Sequence, residues 1–429
     1  MKRLQSLSSG DFLKFFFALL SLTFLLSSLC MPDRMDMING LIQIISCPCK
    51  APTNYFAIGG YAATFLNMGL VALVFLGLIM VYKEVPSNVT CFGMLLTIGF
   101  SSWGINVVNM WPSVLGVMIY GMVRKNKSVS LINMMLFSTG IAPMMSDLML
   151  RYPNNEVVGF NVRGIVIALL AGLVIAVILQ PGLVNSPKVH KGFDLYSAAL
   201  PIGMTAFLLN ACLYRTMGIS VPAGYDASLL TVSSTMIVNI FCIVLFGGCV
   251  VLSLCMGASC KEYVDVLGNK NTHESNALFL LRFGIYGLFI LGYYNLIGAT
   301  FNGVTFGIIF CMVCGFSLNA HPGNVWPIML GYVVASYVFG SVSSVLGGNF
   351  SYVISAQAIV IGVCFASGLC PIVNKYGWLA GCVGAMLHYM IVTTVPDVHG
   401  AFCLYNGGFT AALICILYIP VLENMCEKK

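Results

Sequence analysis

The sequence predicts an all-α membrane protein that crosses the bilayer many times and is built from two copies of one unit. Of its 429 residues, 59% are hydrophobic and 8% are charged, whereas a soluble domain carries roughly 25% charged residues. From Phe283 to Asn374 the chain has no Asp, Glu, Lys or Arg over 92 residues, which suffices for several crossings of about 20 residues each. The net charge of +6 is spread thinly and forms no basic block, so we expect no nucleic-acid partner.

The first apolar stretch runs from residue 12 to residue 31. It follows Met1-Lys2-Arg3 and is similar to a secretory signal, but its apolar region exceeds the roughly 7 to 15 residues of a signal peptide. Leu29 also stands where a cleavage site requires a small residue. We therefore predict a retained first transmembrane helix.

Apolar runs separated by polar breaks predict the remaining helices. They lie near 55–82, 88–103, 111–124, 163–181, 193–215, 228–256, 276–298, 303–318, 325–341, 376–395 and 401–424. Two further segments, 131–146 and 352–372, are broken by Gly and Pro, and they either re-enter or cross the membrane. The prediction is about 12 transmembrane helices plus these two segments. Basic residues occur in most connections, so the sequence alone gives no orientation.

Three motifs occur twice in the same order, which indicates a tandem duplication. They are an Asn-x-Trp-Pro motif, a Gly-x-x-Pro motif and a His-x-x-Phe-x-Leu-Tyr motif, which we call the Trp-Pro boxes, the Gly-Pro breaks and the His-Tyr boxes. Their positions are Asn109–Pro112 and Asn324–Pro327, Gly140–Pro143 and Gly368–Pro371, and His190–Ser197 and His399–Asn406.

The duplication divides the chain into four parts. We predict an N-terminal transmembrane helix in 1–36, a first membrane copy in 37–227, a linking helix with a polar loop in 228–275 and a second copy in 276–429. If the Gly-Pro segments only dip into the membrane, the copies are parallel. If they cross it, the copies are inverted.

The three motif pairs resemble an uncharacterised bacterial family of two-copy, multi-pass membrane proteins, number 1576 of the domains of unknown function, over nearly the whole chain. The resemblance implies a duplicated membrane protein, typical of Gram-positive anaerobes, with no established activity. Tyr405-Asn406-Gly407 is also similar to turns of urea transporters, which are duplicated too. The first copy departs from that pattern, because Ser197-Ala198 replaces Asn-Gly.

The broken helices are the first candidate site. Pro and Gly free backbone groups that must find partners in protein, water or a ligand, and matching interruptions in repeat transporters converge near the midplane. The pathway candidates are Asn106, Asn109, Trp111, Pro112, Gly140, Pro143, Asn319, Asn324, Trp326, Pro327, Gly368 and Pro371. Alternatively, each Trp-Pro opens a helix at the membrane interface and the Asn side chains cap it.

Histidines form the second group of candidates. His321 is the one ionisable residue of the Asp, Glu, Lys, Arg and His set between Phe283 and Asn374. Such a group suggests a proton or solute role, or else a hydrogen-bonded interfacial residue. The His-Tyr boxes add His190, Tyr196, His399, Tyr405 and Asn406. Asp147 and Arg163, near two segment ends, suit a structural ion pair.

These observations favour a transporter or channel for a small polar, neutral solute, with its pathway between the two copies. A membrane structural or assembly subunit and an intramembrane enzyme are the alternatives. No hydrolase, metalloprotease or nucleotide-binding motif occurs, so we expect no catalytic activity, no cofactor and no metal. The expected partners are the lipid bilayer and the solute, in a bacterial plasma membrane, and the sequence leaves open whether the chain forms a homo-oligomer.

Overall fold

The computed structural model describes residues 2–48, 50–125, 127–222, 227–232, 234–268 and 275–426. Every regular element in these ranges is helical, which confirms the predicted all-α class. The first ten α-helices are α1 (Lys2–Gln5), α2 (Ser9–Cys30), α3 (Met37–Ile45), α4 (Tyr55–Tyr82), α5 (Asn88–Phe100), α6 (Trp111–Val123), α7 (Leu131–Ser138), α8 (Ala142–Leu150), α9 (Val162–Val189) and α10 (Ala199–Asn210). The others are α11 (Thr235–Cys255), α12 (Cys260–Gly268), α13 (Asn276–Leu296), α14 (Gly303–Val313), α15 (Pro322–Val345), α16 (Gln357–Ala366), α17 (Cys370–Tyr376), α18 (Trp378–Ile391), α19 (Val395–Val398) and α20 (Asn406–Cys426).

Eight helical units in the described ranges are long and apolar enough to cross a bilayer, so the chain is a multi-pass membrane protein. They are α2, α4, α9, α11, α13, α15, α20 and the unit formed by α16 and α17. Shorter apolar helices pack among them, namely α5, α6, α18 and α14 with its 3₁₀ extension to Leu318. Each predicted apolar run corresponds to one of these helices, or to α7–α8 and α10.

The helices follow the same order in both copies. The equivalent elements are α4 and α13, α5 and α14, α6 and α15, α7–α8 and α16–α17, α9 and α18, and α10 and α20. A flanking helix packs along the first member of each copy, because α2 lies against α4 and α11 lies against α13. Glycine permits both close approaches: a Cβ at Gly69 would meet Leu25, and one at Gly284 would meet the Phe246 backbone.

The equivalent helices α5 and α14 pack directly against each other and run antiparallel. Ser102, just after α5, donates through Oγ to the carbonyl of Gly303 at the start of α14 (2.6 Å). Further along, Cys311 of α14 lies against the carbonyl of Leu96 (3.8 Å). Residue numbers therefore fall along α14 as they rise along α5. Because the two helices are equivalent, the copies are inverted relative to each other.

The Gly-Pro segments cross the membrane domain instead of re-entering. Helix α7 begins beside the last residues of α4, where Glu84 accepts a hydrogen bond from the Leu131 backbone (3.0 Å). Helix α8 ends at the opposite side, where Asp147 binds the Tyr214 hydroxyl (2.5 Å) and Tyr214 stacks on Phe402 (5.1 Å). Of the two arrangements that the sequence left open, the structure has the crossing one, as an inverted repeat requires.

The antiparallel packing of the two copies distinguishes two ends of the molecule, which we call the Ser197 end and the His399 end after the residue that lies at each. Backbone hydrogen bonds join Ala51 to Ala401 (2.9 Å) and Thr53 to Trp103 (3.2 Å), so the C-terminal end of α5 belongs to the His399 end. The N-terminal half of α5 lies near the Ser197 end, where Phe92 packs on Tyr196 (5.2 Å).

The predicted ion pair between Asp147 and Arg163 is wrong. Asp147 binds Arg151 instead, with its carboxylate 2.6 Å from Nε and 3.1 Å from Nη2. Both side chains are buried, and Tyr214 completes the cluster at the end of α8. The i to i+4 spacing on one helix brings Arg151 onto the same face as Asp147, which makes it the better partner.

Candidate functional site

The His-Tyr box of each copy packs on the Gly-Pro break of the other, and we call this double contact the interlock. The backbone amide of Leu404 donates to the carbonyl of Gly140 (2.8 Å), and that of Leu195 donates to the carbonyl of Gly368 (3.0 Å). Each bond partners a carbonyl beside a helix break, which in a membrane interior needs a partner. Because the chain is duplicated, the same contact occurs twice: the second His-Tyr box packs on the first Gly-Pro break, and the first His-Tyr box packs on the second break.

Both breaks are short 3₁₀ turns within otherwise α-helical segments. The turns comprise Thr139–Ile141 and Ser367–Leu369, and all of these residues are buried. Pro143 and Pro371 then occupy the first turns of α8 and α17, where proline costs little because that amide has no helical acceptor. The sequence correctly located these interruptions.

Tyrosine rings cover the two glycines of the interlock. A Cβ added to Gly140 would lie 2.1 Å from the Tyr405 ring, and one added to Gly368 would lie 2.5 Å from the Tyr196 ring. Tyr196 also donates its hydroxyl to the Cys311 carbonyl (2.8 Å). The Tyr405 hydroxyl is buried and has no hydrogen-bond partner among the described residues. Only glycine fits beneath each ring.

The recurring histidines brace the His-Tyr boxes. His190 pairs through Nε2 with the Ser197 hydroxyl (2.8 Å), and His399 pairs through Nε2 with the Asn406 side-chain oxygen (3.1 Å). Both imidazoles are buried. The same bridge across seven residues therefore closes the turn before α10 and the turn before α20.

Two cavities of nearly equal size lie beside these boxes. The His399 cavity, of about 290 Å³, is lined by His399, Asn406 and Trp103 together with residues of α16. The Ser197 cavity, of about 300 Å³, is lined by Ser197 and Asn133 together with residues of α5 and α9.

Equivalent positions of the two copies contribute to both cavities. The corresponding pairs are Leu183 and Val392, Pro187 and Pro396, Leu195 and Leu404, Ser197 and Asn406, Ser130 and Ala358, and Asn133 and Ile361. Since the copies are inverted, the cavities lie at opposite ends of the α5–α14 pair. The cavities are thus products of the duplication and are not unrelated surface clefts.

A row of buried aromatic rings separates the cavities, and we call it the aromatic row. It runs from Phe92 to Tyr196 (5.2 Å), Phe365 (5.0 Å), Phe100 (6.2 Å) and Trp103 (5.4 Å), measured between ring centroids. Phe92 lines the Ser197 cavity and Trp103 lines the His399 cavity. All five rings are at most 2% exposed, so the row closes the space between the cavities.

The chain matches one protein-family model in two separate regions. A family model described as "Protein of unknown function (DUF1576)" matches residues 33–215 and 260–424. The chain belongs to the DUF1576 family. The two matched regions agree with the duplication, since each contains one Trp-Pro box, one Gly-Pro break and one His-Tyr box. No curated protein and no solved structure matches this DUF1576 protein, so the likeness to urea transporters gains no support.

Residues that line each cavity of the DUF1576 protein carry buried polar atoms without a hydrogen-bond partner among the described residues. They are Trp103 Nε1 and His399 Nδ1 in the His399 cavity, and Asn133 Oδ1 in the Ser197 cavity. A buried polar group without a partner costs about 1–3 kcal/mol, so a small rearrangement that brings these atoms to a polar molecule in the cavity would relieve that cost. No Asp, Glu, Lys or Arg occurs among the described lining residues of either cavity.

The asparagines of the Trp-Pro boxes make the same hydrogen bonds in both copies. Asn109 Nδ2 donates to the Gly104 carbonyl (2.9 Å) and Ser146 Oγ (2.8 Å), while its oxygen accepts from the Asn106 backbone (2.7 Å). Asn324 Nδ2 donates to the Asn319 carbonyl (3.0 Å) and Asn374 Oδ1 (3.3 Å). The His321 backbone donates to the Asn324 oxygen (2.9 Å).

This arrangement gives Asn109 and Asn324 a role in holding the loops before α6 and α15. Both side chains are buried within their own copy. Neither residue lines the two cavities. Contact between these amides and a solute stays a prediction.

We expect Asn109→Ala to lower the free energy of unfolding by about 1–3 kcal/mol, because it leaves the buried Ser146 hydroxyl and the Asn106 backbone amide without their hydrogen-bond partner. Thermal unfolding in detergent measures the effect. Asn185→Ala is the matched control, because that exposed amide bonds only within α9, donating to the Pro181 carbonyl and accepting from Lys188. A solute role for Asn109 instead requires flux in liposomes to fall further than the folded fraction.

The remaining Trp-Pro residues differ between the copies. Pro112 lies in the first turn of α6, as predicted. Pro327 lies inside α15, because that helix already begins at Pro322 with His321 as its N-cap residue. The prediction that each Trp-Pro pair begins a helix is therefore confirmed for the first copy and wrong for the second.

The other candidates of the Trp-Pro regions lie away from the cavities. Trp111 is half-buried at the start of α6, while Trp326 is 43% exposed and stacks on Trp378 at 6.2 Å. Asn106 is buried and accepts from the Val108 and Asn109 backbones. Asn319 ends the 3₁₀ turn after α14 in a left-handed conformation, and its oxygen lies 3.4 Å from Arg282 Nη2.

Sequence reasoning missed Trp103, Asn133 and His388. Trp103 lies just after Gly99-Phe100-Ser101, a tripeptide that recurs as Gly315-Phe316-Ser317 in the second copy. Asn133 is an amide within an otherwise apolar broken segment, so both residues carried a weak signal. His388 is buried in α18 between the Tyr332 hydroxyl (2.5 Å) and the Gly407 carbonyl (2.8 Å). His388 belongs to none of the recurring motifs. No group of three or more His, Cys, Asp and Glu side chains suited to a metal ion occurs in the described ranges.

Proposed function

We propose that this DUF1576 protein is a transporter or channel that carries a small polar, neutral solute along a path between the His399 cavity and the Ser197 cavity. The pair of equivalent cavities at opposite ends of the domain carries this proposal. An inverted repeat produces such a pair naturally, because each copy builds the same half-pathway in the opposite direction. A membrane assembly subunit has no need of two matched cavities.

The cavity walls suit an uncharged solute. Their unpaired atoms include the indole N–H of Trp103, which donates, and the amide oxygen of Asn133, which accepts. A charged solute in this setting would need an opposite charge to offset its loss of hydration. Volumes near 300 Å³ admit a molecule of a few heavy atoms together with water.

Movement of the aromatic row would connect the two cavities. In the present conformation, Phe365 and Phe100 fill the space between Tyr196 and Trp103. Equivalent parts of both copies contact the row, so displacement of either His-Tyr box would open the path from its own end. Solute would then pass by alternate opening or by a brief simultaneous opening.

The proposed function predicts that the Ser197 cavity can be blocked chemically. Val89 lines this cavity and is 41% exposed. We expect Val89→Cys to lose most of its solute flux after reaction with a bulky thiol reagent. Liposomes with the purified variant and a panel of small labelled solutes measure this loss.

The matched control is Val123→Cys, which is 74% exposed at the same end and lies outside the cavity wall. Wild-type protein treated with the same reagent accounts for the native cysteines. Equal flux for Val89→Cys before and after labelling would contradict the pathway. Flux no higher than that of protein-free liposomes for every solute would favour the assembly subunit.

The charges further suggest that the Ser197 end faces the cytoplasm of a bacterial plasma membrane. Basic residues predominate in the connections of both copies at this end, namely Lys83, Arg124, Lys125, Lys127, Lys188, Lys191 and Lys375, with Glu84, Asp194 and Glu423 as the acids. At the His399 end, acids such as Asp33, Asp147 and Asp397 offset the basic residues. Loops rich in Lys and Arg stay in the cytoplasm.

This orientation can be measured with a membrane-impermeant thiol reagent on intact cells. We expect Val157→Cys, 52% exposed in the loop after α8 at the His399 end, to be labelled from outside. Val123→Cys should react only after the cells are opened. Peptide mass spectrometry separates these sites from native cysteines, and the reverse labelling pattern would invert the assignment.

A further inference from the structure

Asp194 of the first His-Tyr box is a buried carboxyl group with an incomplete set of partners. It is 3% exposed, and its Oδ1 accepts from the Tyr196 backbone (2.8 Å). Its Oδ2 has no hydrogen-bond partner among the described residues. None of the ion pairs in the described ranges includes Asp194.

The groups around Asp194 do not supply a compensating charge. His190 accepts from the Asp194 backbone through Nδ1 (3.3 Å), so its ring proton is on Nε2 and the imidazole is neutral. The thiols of Cys370 in α17 and Cys415 in α20 lie within electrostatic reach. Lys375 is exposed and lies over the Phe193 ring, 5.2 Å from its centre.

Asp194 also lies in the interlock. A Cβ added to Gly368 would come within 2.9 Å of Asp194 Oδ1, and the neighbouring residue Leu195 donates to the Gly368 carbonyl. The second copy has Cys403 at the equivalent position, so one half of the interlock carries an acid and the other does not. Any control exerted by this carboxyl therefore acts on the Ser197 side.

Burial and the lack of a neighbouring cation determine whether the Asp194 carboxyl is protonated or ionised in the closed conformation. An ionised carboxylate without solvent or partner is far costlier than the neutral acid. Na⁺ would need several oxygen ligands, whereas the surroundings of Asp194 include a backbone N–H, an aromatic ring and thiols. A bound proton fits this environment and a metal cation does not.

We propose that Asp194 is a proton-binding site whose ionisation releases the interlock and opens the Ser197 cavity. This inference rests on the proposed function, because it supplies the proton with which solute movement would be coupled. The carboxylic acid gives its proton to water entering from the Ser197 cavity, the proton leaves through this water to bulk solvent, and neutral water molecules then hydrate the resulting carboxylate. Leu195 and Gly368 then separate, and reprotonation restores the closed form.

Infrared difference spectroscopy tests the site without any solute. Purified protein is moved between acid and alkaline buffer, and the band of a protonated buried carboxyl is followed. We expect this band in the wild type and in Asp397→Asn, which removes an exposed carboxyl, and its loss in Asp194→Asn. Persistence of the band in Asp194→Asn would overturn the assignment. So would a wild-type band that responds to sodium chloride at constant pH.

Thiol labelling tests the opening. Ala198 lines the Ser197 cavity but is 4% exposed, so Ala198→Cys reports on access to it. Its labelling rate, divided by that of Val123→Cys to remove the effect of pH on thiols, should rise several-fold in alkaline buffer. In the Asp194→Asn background the ratio should stay constant. A ratio that changes equally in both backgrounds would overturn the proposal, whereas absence of solute flux would count against the proposed function alone.

Discussion

Gly140→Ala and Gly368→Ala should each destabilise the protein severely and abolish solute flux. The added Cβ would lie 2.1 Å from the Tyr405 ring or 2.5 Å from the Tyr196 ring, at buried positions where the ring has no room to move. Overpacking of this kind typically costs about 1–3 kcal/mol, and occasionally more. It would also separate the backbone pairs Leu404–Gly140 and Leu195–Gly368, which join the two copies.

Gly77→Ala is the matched control for both variants, because a Cβ at this position in α4 meets nothing within 4 Å. That change should leave the melting temperature equal or slightly higher, since alanine favours a helix over glycine by roughly 0.5–1 kcal/mol. Melting temperature in detergent and flux in liposomes give the comparison. If Gly140→Ala melts like Gly77→Ala, the interlock does not hold the copies together.

Phe365→Ala should raise the flux of small solutes well above the wild-type level. Phe365 stands at the centre of the aromatic row, 5.0 Å from Tyr196 and 6.2 Å from Phe100, and it is fully buried. Removing its ring leaves a gap that joins the His399 cavity to the Ser197 cavity. The folded state also loses stability, by about 3–5 kcal/mol for such a substitution, so flux must be normalised to folded protein.

Phe279→Ala separates the loss of stability from the opening of a path. Phe279 is also a buried ring in an aromatic cluster, 5.4 Å from Phe12 and 4.8 Å from Phe316, but it lies on α13 away from the cavities. We expect similar destabilisation with no gain of flux. Raised flux in both variants would indicate general leakiness, and raised flux in neither would mean that the aromatic row does not close the path.

Local sequence patterns were sufficient to predict the class of this protein, the approximate positions of its helices and its duplication. Whether a segment can cross the bilayer depends on the length and hydropathy of that segment alone. The predicted run of 55–82 therefore matches α4 at Tyr55–Tyr82. The breaks at Gly140 and Gly368 were also predictable, because Gly and Pro act on their own helices. The repeated motifs could also be recognised in the sequence, because this recognition requires no knowledge of the contacts in the folded protein.

The orientation of the two copies and the polar groups that line a cavity could not be predicted in this way, because they depend on contacts in the folded protein. Inversion depends on the antiparallel packing of α5 and α14, which join residues such as Leu96 and Cys311 that are far apart in the chain. Asn109 looked like a solute contact, yet Ser146 from another helix occupies its amide. Trp103 only follows a recurring motif and Asn133 belongs to none, and their unpaired atoms arise from packing. Contacts across copies depend on distances in space, and local sequence patterns do not encode those distances.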